Sequence, residues 1–147
     1  DFCLSRGLGD VYKRQARLSW YREDRLYLRQ QALARLYLEH GDFLRAALLG
    51  FEAFITRLTQ HQDMPDPDSW RQRENAKRTY EAENKDIHPR SDQYQRYCLL
   101  RDLRNHLAHG NRSPQADIQK ALASAGQLRD LLDDVFKRLL PPDGTID

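Results

Sequence analysis

Apolar residues recur along this chain every three or four positions, and nowhere do they alternate over a sustained stretch. That period belongs to helices, so the pattern predicts an all-α fold without strands. A first helix is expected from about Trp20 to His40, with Leu26, Leu33, Leu36 and Tyr37 on one stripe. Gly41 supplies a left-handed stop and Asp42 a cap for the next helix. That second helix, about residues 43–61, carries Phe43, Ala47, Gly50, Phe51, Phe54 and Leu58 on one face and Leu44, Leu48 and Ile55 on another. A helix apolar on two sides belongs at the centre of a bundle. Met64 to Asp68 reads as a loop, and Ser69-Trp70-Arg71-Gln72 as a capping box. The third helix, about residues 70–84, is mostly charged, with only Trp70, Ala76 and Tyr80 to pack, so it is expected to be short and peripheral. Ile87-His88-Pro89 interrupts the pattern. A fourth helix runs from about Ser91 to His109. A fifth starts with Ser113 as cap and Pro114 at its first position, carries Ile118, Leu122, Ala125, Leu132, Val135 and Leu139, and ends at Pro141-Pro142. The sum is an antiparallel bundle of four main helices plus a short peripheral one.

The ends change the bookkeeping. Residues 1–15 have two glycines, five charges and no apolar period, and are expected to be a non-native or disordered tail. Ser5 to Gln15 resembles a translated sequencing-adapter read and is set aside in reasoning about the fold. The helical domain is then residues 16–147, expected to be a fragment of a longer protein because no Met begins it. Of 24 Lys and Arg and 22 Asp and Glu, three and two lie in residues 1–15, which leaves 21 against 20 in the domain. Such a balance is not the overall basic footprint of a general nucleic-acid binder, so any RNA would be held at a local patch. Setting aside Cys3 leaves Cys98 as one cysteine, too few for an internal disulfide. Neither a signal peptide nor a membrane span is visible, which makes a reducing cytoplasm the expected compartment.

The chemistry concentrates in Arg104-Asn105-His106-Leu107-Ala108-His109-Gly110, at the end of the fourth helix. Arg and His with four residues between them occur three times, as Arg35 and His40, Arg101 and His106, and Arg104 and His109, so the spacing alone carries little. At about 100° per residue, Leu100, Leu103 and Leu107 set a core direction roughly 60° to one side of Arg104. Asn105 and His109 fall together roughly 100–140° to the other side, as an i, i+4 pair facing away from the core. Cys98 shares that face. Arg104 lies between the two directions and is long enough to reach around. A guanidinium can grip a phosphate through a planar fork, an imidazole can move a proton, and an amide can orient either. His106 and His109 without a nearby carboxylate or thiolate make a poor metal site, and no cofactor is expected. Glu52, beside aromatics in the second helix, reads as a partner for an arginine of a neighbouring helix. Tyr80, Tyr94 and Tyr97 can pack in the core or stack on bases.

Arg104-Asn105-x-x-Ala108-His109-Gly110, preceded by Tyr94-x-x-Tyr97-Cys98-Leu99-Leu100-x-x-Leu103, resembles the signature helix of the HEPN superfamily. The residues from Tyr37 to Ala47 and from Gly50 to Ile55 resemble the paired helices before that signature. The likeness covers most of residues 22–140 and is nearest to the C-terminal HEPN domains of CRISPR-associated sensor ribonucleases of the DxTHG type. It implies a metal-independent endoribonuclease acting on single-stranded RNA, with Arg104, Asn105 and His109 as catalytic residues. It further implies a homodimer through the fourth-helix face and an upstream sensor of cyclic oligoadenylate that this chain lacks. A non-catalytic HEPN module that binds a protein or nucleotide partner, as in some toxin–antitoxin pairs, is the alternative.

Overall fold

A computed structural model describes residues 25–62, 69–110 and 115–141. Among them are six helices: α1 (Leu26–Glu39), α2 (Phe43–His61), α3 (Trp70–Asn84), α4 (Asp92–His109), α5 (Ala116–Ala121) and α6 (Ala125–Leu139). The expected all-α bundle is present. The proposed tail at residues 1–15, the 64–68 loop and the Ser113-Pro114 start lie outside the described residues.

Helix α2 is the hub, packing against α1, α3, α4 and α6. Its residues from Ala53 to Thr59 are buried on every side, as expected of a helix apolar on two faces. Phe51 and Phe54 join Tyr80, Tyr94 and Tyr97 in one aromatic cluster, with ring centroids 5.2–5.9 Å apart. Edge-on and offset arrangements at this separation are favourable for ring quadrupoles. The tyrosines therefore pack in the core.

Several local signals act as the sequence indicates. Gly41 ends α1 at φ 76°, and the Asp42 carboxylate accepts from Arg45 N–H at 3.1 Å. The Ser91 hydroxyl accepts from Tyr94 N–H at 3.1 Å at the start of α4, and Gly110 ends that helix at φ 65°. Glu52 pairs with Arg73 of α3.

Other expectations are corrected. The single fifth helix is two, because the Ser124 hydroxyl accepts from Gln127 N–H at 3.2 Å and starts a new helix there. The short element is therefore α5, while α3 runs 15 residues. In α1 the buried stripe is Tyr27, Gln31, Ala34 and Leu38 rather than the Leu26, Leu33, Leu36 and Tyr37 stripe. Apolar residues on both sides of α1 allow either register. Polar bonding decides it: Gln31 faces inward and donates to the Leu140 carbonyl at 2.6 Å. Trp70 does not pack but is 77% exposed, since it lies roughly 120° around the helix from Ala76. Ser69 precedes α3 in extended backbone, but its hydroxyl makes no cap bond, so the capping box is not formed. Leu44, expected on the second stripe of α2, is exposed.

The C-terminal end of α6 is closed by side chains from the first two helices. Beside Gln31, Arg35 donates to the Leu140 carbonyl at 3.1 Å and Arg57 to the Leu139 carbonyl at 2.7 Å. These are helix-terminal carbonyls that the helix itself leaves without partners, and cations are favoured there.

Candidate active site

The last two turns of α4 position the candidate residues. Ser91 fixes where the helix begins and Gly110 where it ends, and Tyr94, Tyr97, Leu100 and Leu103 lock its rotation by burial in the core. That rotation leaves Asn105 and His109 exposed and Arg104 partly buried, in agreement with the helical wheel. The left-handed turn at Gly110, whose N–H donates to the His106 carbonyl at 2.8 Å, stops the helix directly after His109.

Arg104 and Asn105 are brought together. Arg104 Nη1 donates to Asn105 Oδ1 at 2.7 Å, at the surface. The guanidinium carbon lies over the Phe51 ring, 4.8 Å from its centroid, and Nε is buried without a hydrogen-bond partner. His109 makes no hydrogen bond to either among the described residues, and it stands one turn beyond Asn105 with its ring in solvent. Within one chain the arrangement is thus an Arg–Asn pair with an adjacent exposed imidazole.

The three Arg–His pairs of equal spacing now separate. Arg35 is occupied by the Phe136 and Leu140 carbonyls. Arg101 pairs with Glu81 at 3.2 Å and with Asp102 at 2.9 Å. Arg104 meets no carboxylate among the described residues; its contacts are a neutral amide oxygen and a ring face. A partly buried guanidinium without a counter-charge has its charge incompletely compensated, and an oxyanion is the natural complement. Phe51 is the part of this site that the sequence pattern did not single out. It reads there as an ordinary core residue, and nothing in the spacing between positions 51 and 104 links the two.

His106 is partly buried and projects elsewhere, with Nδ1 lacking a partner. Cys98 is a free, partly buried thiol packed against the core. It lines a hollow of about 370 Å³ with Arg90, Gln95, Arg96, Leu99, Gln115 and Asp117. Among the described residues no three His, Cys, Asp or Glu side chains gather where they could hold a metal, and no helix is long and apolar enough to cross a membrane. Comparison of the chain with protein-family models, with curated proteins and with solved structures finds no match in any of the three.

Proposed function

We propose that this chain is a metal-independent endoribonuclease domain that cuts single-stranded RNA through the substrate's own 2′-hydroxyl. The observation that carries the reading is Arg104. Of the three arginines with a histidine at the same spacing, it is the one that, among the described residues, is not occupied by carboxylates or helix-end carbonyls, and it stands beside Asn105 and one turn from the exposed His109.

In this reading the Arg104 fork holds the equatorial oxygens of the scissile phosphate and Asn105 keeps the fork in place. One imidazole removes the 2′-hydroxyl proton as that oxygen bonds to phosphorus. The bond from phosphorus to the 5′-oxygen breaks, and a second imidazole delivers a proton to the leaving oxygen. The products are a 2′,3′-cyclic phosphate and a 5′-hydroxyl. General acid and base contribute about two to four orders of magnitude each. The fork contributes electrostatic stabilisation of the phosphorane.

One chain offers one His109. Two copies related by a two-fold axis through the outward face of α4 would supply two imidazoles and enclose both Arg–Asn pairs in one cleft. The resemblance to the CRISPR-associated HEPN ribonucleases supports that pairing, together with control by a cyclic-oligoadenylate sensor domain. The deciding experiment incubates the protein with a labelled single-stranded RNA in the presence of EDTA, beside sedimentation at micromolar concentration. Cleavage to cyclic-phosphate ends by a dimer is expected. A monomer with no activity, even when joined to a sensor domain and supplied with activator, would favour the binding-module alternative.

A further inference from the structure

We propose that Phe51 is a positioning residue for Arg104, its ring fixing the guanidinium as a preformed oxyanion fork at the surface of α4. This inference rests on the reading that Arg104 holds the phosphate. The geometry is specific. The guanidinium carbon is 4.8 Å from the Phe51 ring centroid, within the range of a cation–π contact. Nε is turned inward, with neither solvent nor, among the described residues, a hydrogen-bond acceptor. Nη1 is held at the surface by Asn105 Oδ1. An arginine side chain has several freely turning bonds, and two contacts at different points of its plane are needed to fix both position and tilt. Asn105 restrains one nitrogen, and the ring restrains the plane.

The ring also answers a problem of charge. An inward N–H without an acceptor is costly, and a carboxylate placed there would satisfy it but also neutralise the fork. A ring face attracts the cation through its quadrupole without carrying a net charge. The guanidinium can thus be held and still attract an anion. Phe51 itself is 5% exposed and is placed by Tyr97, whose ring stacks on it with centroids 5.9 Å apart at 25°. The fork is therefore referred back to the aromatic core between α2 and α4. The packing that sets the rotation of α4 also sets the plane of Arg104.

The test uses the full chain with Phe51→Leu, which keeps an apolar side chain and removes the ring, and Phe51→Tyr, which keeps the ring. Cleavage kinetics are read beside binding of a non-cleavable 2′-O-methyl RNA and of inorganic phosphate, with NMR of the Arg104 Nε–H resonance. Phe51→Leu should lower kcat/KM and weaken both anions by about three- to thirtyfold, the span of a cation–π contact. Phe51→Tyr should restore them. In the wild type, Arg104 Nε–H should be ring-current shifted and slow to exchange. Equal anion affinity and kcat/KM in a folded Phe51→Leu protein overturns the proposal. So does a wild-type Nε–H that exchanges as freely as an exposed arginine, a result that stands even if Phe51→Leu does not fold. If the wild type cleaves no RNA, the ribonuclease reading falls, while the phosphate titration and the Nε–H resonance still decide the role of Phe51.

Discussion

The Tyr97 hydroxyl donates to Glu81 Oε1 at 2.6 Å, and the same carboxylate oxygen lies 3.2 Å from Arg101 Nη1. The middle of α4 is therefore tied to α3 by a polar clasp built on a core aromatic residue. Burial, and then the bond to Glu81, raise Tyr97 well above the ordinary tyrosine range; burial, and then the neighbouring Cys98 and Tyr94, push Tyr80 up to about 12, and burial, and then Cys98, raise Tyr94 in the same direction.

These shifts give stability an alkaline limit. An unfolded tyrosine releases its proton near pH 10. The buried ones keep theirs, so above that pH the unfolded state is favoured. The stabilisation is complete below about pH 10 and is lost as pH rises toward and beyond about 12, at most about 1.4 kcal/mol per pH unit for each tyrosine. Urea midpoints should be flat between pH 7 and 9 and fall at pH 11. Tyr97→Phe should lose about 1.5–3 kcal/mol at pH 8, where the charged hydrogen bond is missing. It should then lose less than the wild type on going to pH 11. A wild type equally stable at pH 8 and pH 11 would contradict the buried-tyrosine account.

Catalysis should depend on His109 and Arg104 and on neither of the other pairs. His109→Ala should abolish RNA cleavage with the thermal midpoint unchanged, because the ring is exposed and its loss leaves no cavity. Arg104→Ala should also inactivate, and Arg104→Lys should recover little, since an ammonium does not reproduce the planar fork. His40→Ala should leave the rate unaltered: His40 is exposed, and among the described residues its ring is hydrogen-bonded to the Leu36 carbonyl of its own helix, at 2.7 Å. His106→Ala should matter less than His109→Ala. Cleavage that persists in His109→Ala but stops in EDTA would replace this assignment with a metal-dependent one.

Asn105→Asp separates orientation from charge. The carboxylate can still accept from Arg104 Nη1, so the contact and the fold should survive. It also supplies the counter-charge that Arg104 lacks among the described residues. RNA affinity should fall at least about tenfold, roughly 1.4 kcal/mol. Asn105→Ala, which loses the contact without adding charge, should bind RNA better than Asn105→Asp. The opposite order in a filter-binding assay would show that orientation outweighs charge at Arg104.

Two glycines should fail for different reasons. At Gly110 a Cβ meets nothing within 4 Å, so Gly110→Ala carries only the left-handed backbone penalty, roughly 1–2 kcal/mol. At Gly50 a Cβ comes within 2.8 Å of Phe136 Cζ and closer still to Cε1. The ring must move within the core, at about 1–3 kcal/mol, offset in part by a better helix former. Gly50→Ala should therefore alter the Phe136 ring resonances, and Gly110→Ala should not. Unchanged Phe136 resonances in Gly50→Ala would remove the clash from the account.

Much of the architecture is visible in the chain because helix starts and stops are short-range chemistry. Asp42, Ser91, Gly41 and Gly110 act on backbone groups within a few residues, and each works in the structure as its type implies. The break at Ser124 was equally legible, since Ser124-Ala125-Gly126-Gln127 has the spacing of a cap, but the longer apolar stripe across it masks the signal. The register of α1 was not, because it depends on acceptors more than a hundred positions away. The outward placement of Asn105 and His109 followed from periodicity alone. The placement of Phe51 under Arg104 did not, because it depends on how α2 and α4 cross.

The closure of α6 by Gln31, Arg35 and Arg57 has a consequence for synthesis on the ribosome. The carbonyls these side chains bond belong to residues 136–140, which are translated 82 to 109 residues later than the donors. Until that segment leaves the exit tunnel, α1 and α2 lack both their polar acceptors and the apolar face of α6. A nascent chain halted before Phe136 cannot finish its central helix pair, and it exposes to chaperones and proteases the surface that α6 covers. Translation past α6 is thus a checkpoint: only a chain read through Leu140 can cover the face of α1 and α2 that α6 packs against.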